Sequence, residues 1–155
     1  MTLSRQRAVG LATALLVFGL SVLPTVAGGT GKDEGVKLRA QLIWGTNDDK
    51  PPGAGQNELE GPLRKKLSGI FKWKHYFEVK RTEQTIGPKT TKRLKLSPEC
   101  EVEIKNLGSG MVSAKLFGDG KALLEQKLNL SSKEPVVLGG HGKDKTAWFV
   151  VLSPL

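Results

Sequence analysis

Apolar and polar residues alternate with a period of two over most of the chain beyond residue 35. Between residues 100 and 107, for example, Cys100, Val102 and Ile104 alternate with charged residues. This pattern is typical of a β-strand with one face in a hydrophobic core and the other in water. We predict about eight such strands, at residues 36–44, 71–80, 92–96, 100–107, 111–117, 121–130, 135–138 and 146–152.

The segments between these strands are short and rich in turn-forming residues. The sequences GSG at 108–110 and GDG at 118–120 separate successive strands, and Asp-Gly is a strong hairpin signal. Closely spaced strands without long helices between them indicate a mostly β fold. We therefore expect a single antiparallel β-sandwich, with an Ig-like sandwich or an open barrel as the alternative architectures.

Three segments depart from the simple alternation. Pro62 and Gly69 bracket a leucine-spaced segment, which predicts one short helix at 62–69. The preceding residues, 45–58, contain Pro and Gly throughout and predict a long loop. The last strand, AWFVVL at 147–152, is apolar on both faces, so we place it in the interior of a sheet.

The N-terminus has the layout of a secretory signal peptide. Two arginines precede an apolar run from Ala8 to Ala27, and Pro24 is followed by small residues. We predict a signal peptide at 1–27 that is removed, a flexible leader at 28–35 and one β-domain at 36–155. The protein would then be exported, to the periplasm or the extracellular space. The alternative is an uncleaved N-terminal helix that holds the protein at the membrane.

Positive charge is concentrated in one quarter of the domain. The chain carries a formal net charge of +9, and the segment Arg64–Lys95 contains eleven Lys and Arg residues against two acids, Glu78 and Glu83. Two interpretations compete: the lysines keep strand faces and edges soluble, or they form a patch that attracts polyanions. The predicted anion-binding residues are Arg64, Lys65, Lys66, Lys72, Lys74, Lys80, Arg81, Lys92, Arg93 and Lys95.

The aromatic residues of the same segment bear on the class of ligand. Alternation places Phe71, Trp73 and Phe77 in the core, opposite most of the lysines, and leaves only Tyr76 on the basic face. Nucleic-acid binders combine basic residues with several exposed aromatic side chains, and an exported protein rarely meets nucleic acid. The expected partners are anionic lipid, lipopolysaccharide, an acidic glycan or an envelope protein, and nucleic acid is disfavoured.

The sequence offers little for catalysis or metal binding. The two histidines, His75 and His141, are far apart and have no second ligand at metal-binding spacing. No serine-nucleophile motif occurs, and Cys100, the sole cysteine, falls in a core pattern. We therefore predict no catalytic residue, no metal and no cofactor. The competing hypothesis is a small exported enzyme or redox protein that uses Cys100, or His141 with Asp144.

Together these observations predict a non-catalytic exported module, structural or partner-binding, with a basic face at 64–95. A third hypothesis is a subunit of a larger envelope assembly that pairs through an exposed strand edge.

Overall fold

The computed structural model describes residues 35–51, 53–141 and 146–155, all of which belong to one compact unit. For residues 140 and 141 the description covers the backbone alone. The predicted signal peptide, residues 28–34 of the predicted leader, and Asp144 lie outside the described residues. In this part of the chain, no helix has the length and apolar character needed to span a bilayer.

Nine strands and one helix form the described part of the chain. In order they are β1 (Val36–Thr46), β2 (Asn57–Glu58), α1 (Gly61–Ile70), β3 (His75–Ile86), β4 (Thr91–Lys95), β5 (Cys100–Gly108), β6 (Met111–Gly118), β7 (Lys121–Asn129), β8 (Val136–His141) and β9 (Ala147–Pro154). The predicted helix is present, and seven of the eight predicted strands match the observed bounds to within a few residues.

The strands form two antiparallel sheets that pack against each other, which confirms the predicted mostly β sandwich. The five-stranded sheet has the order β2-β3-β1-β9-β8, and the four-stranded sheet has the order β4-β5-β6-β7. Strand β9 lies between β1 and β8, so its interior position is as predicted. The chain passes from one sheet to the other through short connections at 87–90 and 130–135.

The main core lies between the sheets. Inward residues of β1 and β9, such as Leu38, Ala40 and Leu152, meet inward residues of β5 and β6, such as Val102 and Leu116. All five are fully buried. The alternation seen in the sequence therefore reflects real burial, because each of these strands turns every second side chain into the same core.

A second core covers the outward face of the five-stranded sheet. Helix α1 inserts Leu67 over Ile43, Tyr76, Phe149 and Val151 of strands β1, β3 and β9. Strand β9 thus contributes Phe149 and Val151 to this core, while the alternate residues on its opposite face enter the main core. This burial on two faces is the physical reason that β9 is apolar throughout.

Two expectations for residues 71–80 are wrong. Strand β3 begins at His75, and Phe71 and Trp73 pack against the second core from the connection that follows the helix. Tyr76, expected on the basic solvent face, is fully buried, and its hydroxyl donates a hydrogen bond of 2.9 Å to the carbonyl of Phe71. The alternation could not anticipate this, because a covered outward face buries residues that would otherwise meet water.

Candidate functional site

The structure separates the ten predicted basic residues into two groups. Arg64, Lys65 and Lys66 lie on α1, and Lys72 and Lys74 lie in the connection that follows it. The other five lie on β3 or β4, namely Lys80, Arg81, Lys92, Arg93 and Lys95. The sequence segment is therefore not one continuous surface defined by a single strand face.

Most charges of the first group are compensated by acids from elsewhere in the chain. Arg64 lies 3.5 Å from Glu58, and Lys66 lies 3.9 Å from Glu134. Lys66 also donates to the Pro135 carbonyl at 2.7 Å. These contacts hold α1 to the strand and loop beside it. They also lower the local positive charge that the sequence segment suggests.

Asp49 compensates the remaining charge near the start of β3. Its carboxylate accepts hydrogen bonds from Lys74 and from His75 Nε2, the latter at 3.1 Å. These two contacts, Lys74 first, hold the pKa of Asp49 below its usual value. The other ring nitrogen of His75 lies 3.0 Å from Glu58. His75 is thus placed between two carboxylates and anchors the long loop to β3.

The second group contains the lysines whose contacts are neutral. We call the line where the edges of β3 and β4 meet the β3–β4 seam, defined by Lys80, Gln84, Thr85, Lys92 and Lys95. Across it the Lys80 ammonium donates to the Lys95 carbonyl at 3.1 Å. The Lys92 ammonium donates to Gln84 Oε1 at 2.7 Å and to the Thr85 carbonyl at 3.4 Å. All of these acceptors are uncharged, so the seam keeps its positive charge.

The two arginines of the second group are paired with acids. Arg81 lies 2.9 Å from Glu78, and Arg93 lies 2.6 Å from Glu101. The Arg93 guanidinium also stacks 3.9 Å above the ring centroid of Phe117, on the outward face of the four-stranded sheet. In the part of the chain that the structure describes, five of the ten predicted residues therefore pair with a carboxylate.

The thiol considered for catalysis is buried. Cys100 begins β5 and exposes only 4% of its surface. Burial, reinforced by the charges of Glu101 and Glu99, raises the pKa of the Cys100 thiol to about 12, which disfavours the nucleophilic thiolate. His141 lies at the end of β8. Among the described residues, no group of three His, Cys, Asp or Glu side chains is arranged to hold a metal ion.

A cleft that no sequence pattern predicted opens at one end of the space between the sheets. Its volume is about 350 Å³, and its lining includes Trp44 and Trp148 from the five-stranded sheet and Cys100 and Leu123 from the four-stranded sheet. We call it the inter-sheet cleft. Its residues come from distant parts of the chain, and no motif marks them in the sequence.

Comparison with known proteins gives no assignment. The chain matches no family model, no curated protein and no solved structure.

Proposed function

We propose that the protein is an exported, non-catalytic module that binds anionic groups of the cell envelope through the β3–β4 seam. The observation that carries the proposal is the chemistry of the contacts across the seam. Lys80 and Lys92 donate to carbonyl and amide oxygens. Arg64 on α1 and Lys74 after it pair instead with carboxylates.

The fixed positions of these ammonium groups favour binding. An ammonium has three donors, and Lys80 uses one of them on Lys95, so donors remain for an anion. A side chain that is already ordered loses less conformational entropy when a ligand arrives. The carbonyl of Lys95 accepts the bond from Lys80, and the exposed side chain of Lys95 adds a third positive charge, on the edge strand β4.

The spacing of the charges indicates the class of ligand. Two hydrogen bonds bridge the seam, from Lys80 to Lys95 and from Lys92 to Gln84. Their residues on β3, Lys80 and Gln84, are four positions apart. At about 3.3 Å per residue this separates the bridges by roughly 13 Å. A single phosphate cannot contact both lysines at that distance. Repeated anionic groups can, on a lipid surface, on lipopolysaccharide or along an acidic glycan.

Vesicle binding tests the proposal and distinguishes these sources. The chain would be titrated with neutral phosphatidylcholine vesicles, with the same vesicles containing phosphatidylglycerol, with lipopolysaccharide, and with polygalacturonate as the acidic glycan. Each titration would be repeated from low to high salt. Any contribution of the apolar run at 8–27 is the same in every variant and therefore cancels between them.

The decisive variant replaces Lys80, Lys92 and Lys95 with Gln. Each lysine near an anionic surface contributes about 1 kcal/mol, so the triple variant should bind roughly 100-fold more weakly. The matched control makes the same change at three exposed lysines on or just beyond the opposite edge strand β7, and it should retain most of the binding. These control positions are Lys121, Lys127 and Lys133. Equal, salt-insensitive binding to neutral and anionic vesicles would reject the seam as an anion site, because salt screens such attraction.

A further inference from the structure

The inter-sheet cleft has the size and wall chemistry of a small-molecule site. Ligand sites in proteins commonly enclose about 300–1,000 Å³ and are largely apolar, and this cleft encloses about 350 Å³. Leu42 and Val79 line it from the five-stranded sheet, and Leu123 lines it from β7. The cleft is a different place from the β3–β4 seam, so its ligand is independent of the proposed function.

Two tryptophans dominate the apolar wall. Trp44 of β1 and Trp148 of β9 are direct partners in the strand register, so their side chains stand on the same, inward face of the sheet. Both line the cleft and both are half-buried. Indole faces carry partial negative charge and attract cations.

The opposite wall is shaped by a glycine. A Cβ on Gly118 would lie 2.7 Å from Leu123 Cδ1, which is closer than non-bonded carbon atoms approach. Leu123 therefore leans over Gly118 toward the cleft, although 55% of its surface is exposed. A leucine this exposed, on the wall of an apolar cleft, leaves surface that a ligand can cover.

The charged groups among the described residues of the cleft are all negative. Glu99 and Asp119 both line it, and no Lys, Arg or His is found among the described residues that do so. Lys80 follows Val79 in β3, but its ammonium is directed to the Lys95 carbonyl at the seam. The inter-sheet cleft is therefore a locally acidic region of a chain whose net charge is +9.

One acceptor in the cleft is buried without a partner. Gln56 lines the cleft, and its Oε1 atom is buried with no hydrogen bond to any described residue. Buried acceptors are almost always satisfied, because an unmade hydrogen bond is costly. A ligand that donates a hydrogen bond would satisfy this oxygen once the Gln56 side chain rotates its amide into the cleft, because the oxygen itself is closed to solvent.

We propose that the inter-sheet cleft binds a small organic cation, a protonated amine carried on an apolar body. The indoles of Trp44 and Trp148 contact the body and the charge, and Glu99 and Asp119 attract the ammonium. Gln56, with its amide turned into the cleft, accepts one of the ammonium N–H groups at Oε1. The two carboxylates repel an anion, and a neutral apolar molecule leaves the carboxylates and the amide oxygen unused.

The test measures by calorimetry how three probes of similar size bind to the full chain. Phenethylamine carries the charge, phenethyl alcohol replaces it with a neutral hydroxyl, and hydrocinnamate reverses it. We expect the amine to bind at least about tenfold more tightly than the alcohol, and the carboxylate not to bind measurably. An alcohol that binds as tightly as the amine, or the absence of binding by all three, would overturn the proposal.

Two sets of variants connect the preference to named groups. The double variant Glu99→Gln with Asp119→Asn should remove the preference for the amine over the alcohol. The control Glu103→Gln with Glu125→Gln removes the same charge on β5 and β7 outside the cleft lining and should leave the preference intact. If both double variants behave alike, the carboxylates of the cleft do not select the ligand and the proposal fails.

Gln56→Leu separates a ligand-facing group from a structural one. Because Oε1 has no partner among the described residues to lose, the free variant should melt no lower than the unsubstituted chain, while its affinity for phenethylamine falls about tenfold. A fall in melting temperature with unchanged amine affinity would show that Gln56 acts in folding only, and would contradict its assigned role.

Discussion

The five-stranded sheet is covered on both faces, whereas the described residues cover the four-stranded sheet on one. Phe149 of β9 lies on the outward face of the first sheet, where it packs with Phe71 at a centroid distance of 4.4 Å and with Tyr76 at 6.3 Å. Phe117 of β6 lies on the outward face of the second sheet, where Arg93 stacks on it in contact with solvent. The same residue type is core in one sheet and surface in the other.

The difference arises from one short helix and the connection that follows it, which contributes Phe71 and Trp73. Helix α1 has ten residues and would be marginal in isolation, yet Leu67 is fully buried against the sheet. The outward face of the four-stranded sheet has no such cover among the described residues, and it carries ion pairs instead, such as Lys115–Glu125 at 3.4 Å. A covering element, more than the strands themselves, decides which faces become core.

The largest test of this contrast compares Phe149→Ala with Phe117→Ala. Removing Phe149, which is 2% exposed, leaves a cavity in the second core and should lower the free energy of unfolding by about 3–5 kcal/mol. Removing Phe117 loses mainly the contact with Arg93 and should cost about 1 kcal/mol or less. Urea unfolding of both variants measures the two values; similar losses would mean that the outward faces are equally buried.

A second test uses two glycines near the covered face. A Cβ on Gly45 of β1 would lie 2.8 Å from Trp73 and 3.0 Å from Phe149. Gly45→Ala should therefore destabilise the protein by about 1–3 kcal/mol through overpacking. A Cβ on Gly69, in the last turn of α1, would meet no atom within 4 Å apart from the neighbouring backbone of the helix itself. Gly69→Ala should therefore stabilise the helix by about 0.5 kcal/mol.

Thermal unfolding shows directly whether each glycine variant is stabilised or destabilised. Melting temperatures shifted in opposite directions are expected, down for Gly45→Ala and up for Gly69→Ala. An unchanged melting temperature for Gly45→Ala would mean that Trp73 and Phe149 leave space for a methyl group on the outward face of β1.

A third test concerns the covered face of the four-stranded sheet and measures the reactivity of a core thiol. Cys100 faces the main core, and burial raises the pKa of its thiol to about 12. At pH 8 roughly one such thiol in ten thousand is ionised, so iodoacetamide should alkylate the folded chain at least about a hundredfold more slowly than the chain in urea. Equal rates would place Cys100 at the surface.

The same shift predicts how stability depends on pH. The pKa of Cys100 is higher in the folded chain than its ordinary value of 9.0, so folding retains the thiol proton. Its contribution is complete below about pH 9 and is lost as the pH rises toward about 12. Cys100→Ala should flatten this part of the stability curve, which urea unfolding across that pH range would detect.

Strands whose burial is decided by one face were predictable from the sequence. In β5 the residues Cys100, Val102 and Ile104 are all buried as expected, because only one of its faces meets a core. Tyr76 was not predictable in the same way. Its burial depends on α1 and on Phe71, and a period of two says nothing about what covers the outward side.

The candidate sites divide in a similar manner. The basic segment is visible in the sequence, but its compensation is not, because most of the carboxylates that pair with its residues lie outside the segment, as Glu58, Glu134 and Glu101 do. The inter-sheet cleft left no signal in the sequence. Trp44 and Trp148 are more than a hundred residues apart, and only the pairing of β1 with β9 brings them together.

Local properties of the chain were enough to predict the strands, the single helix, the interior position of the last strand and the accumulation of positive charge. Periodicity, turn residues and composition carry this information within short windows of sequence. Three other outcomes depend on the packed sheets: which outward face is covered, which lysines contact only neutral groups, and where a cleft remains. Each of them rests on contacts between different strands, helices or loops, and such contacts are fixed only when the sheets pack.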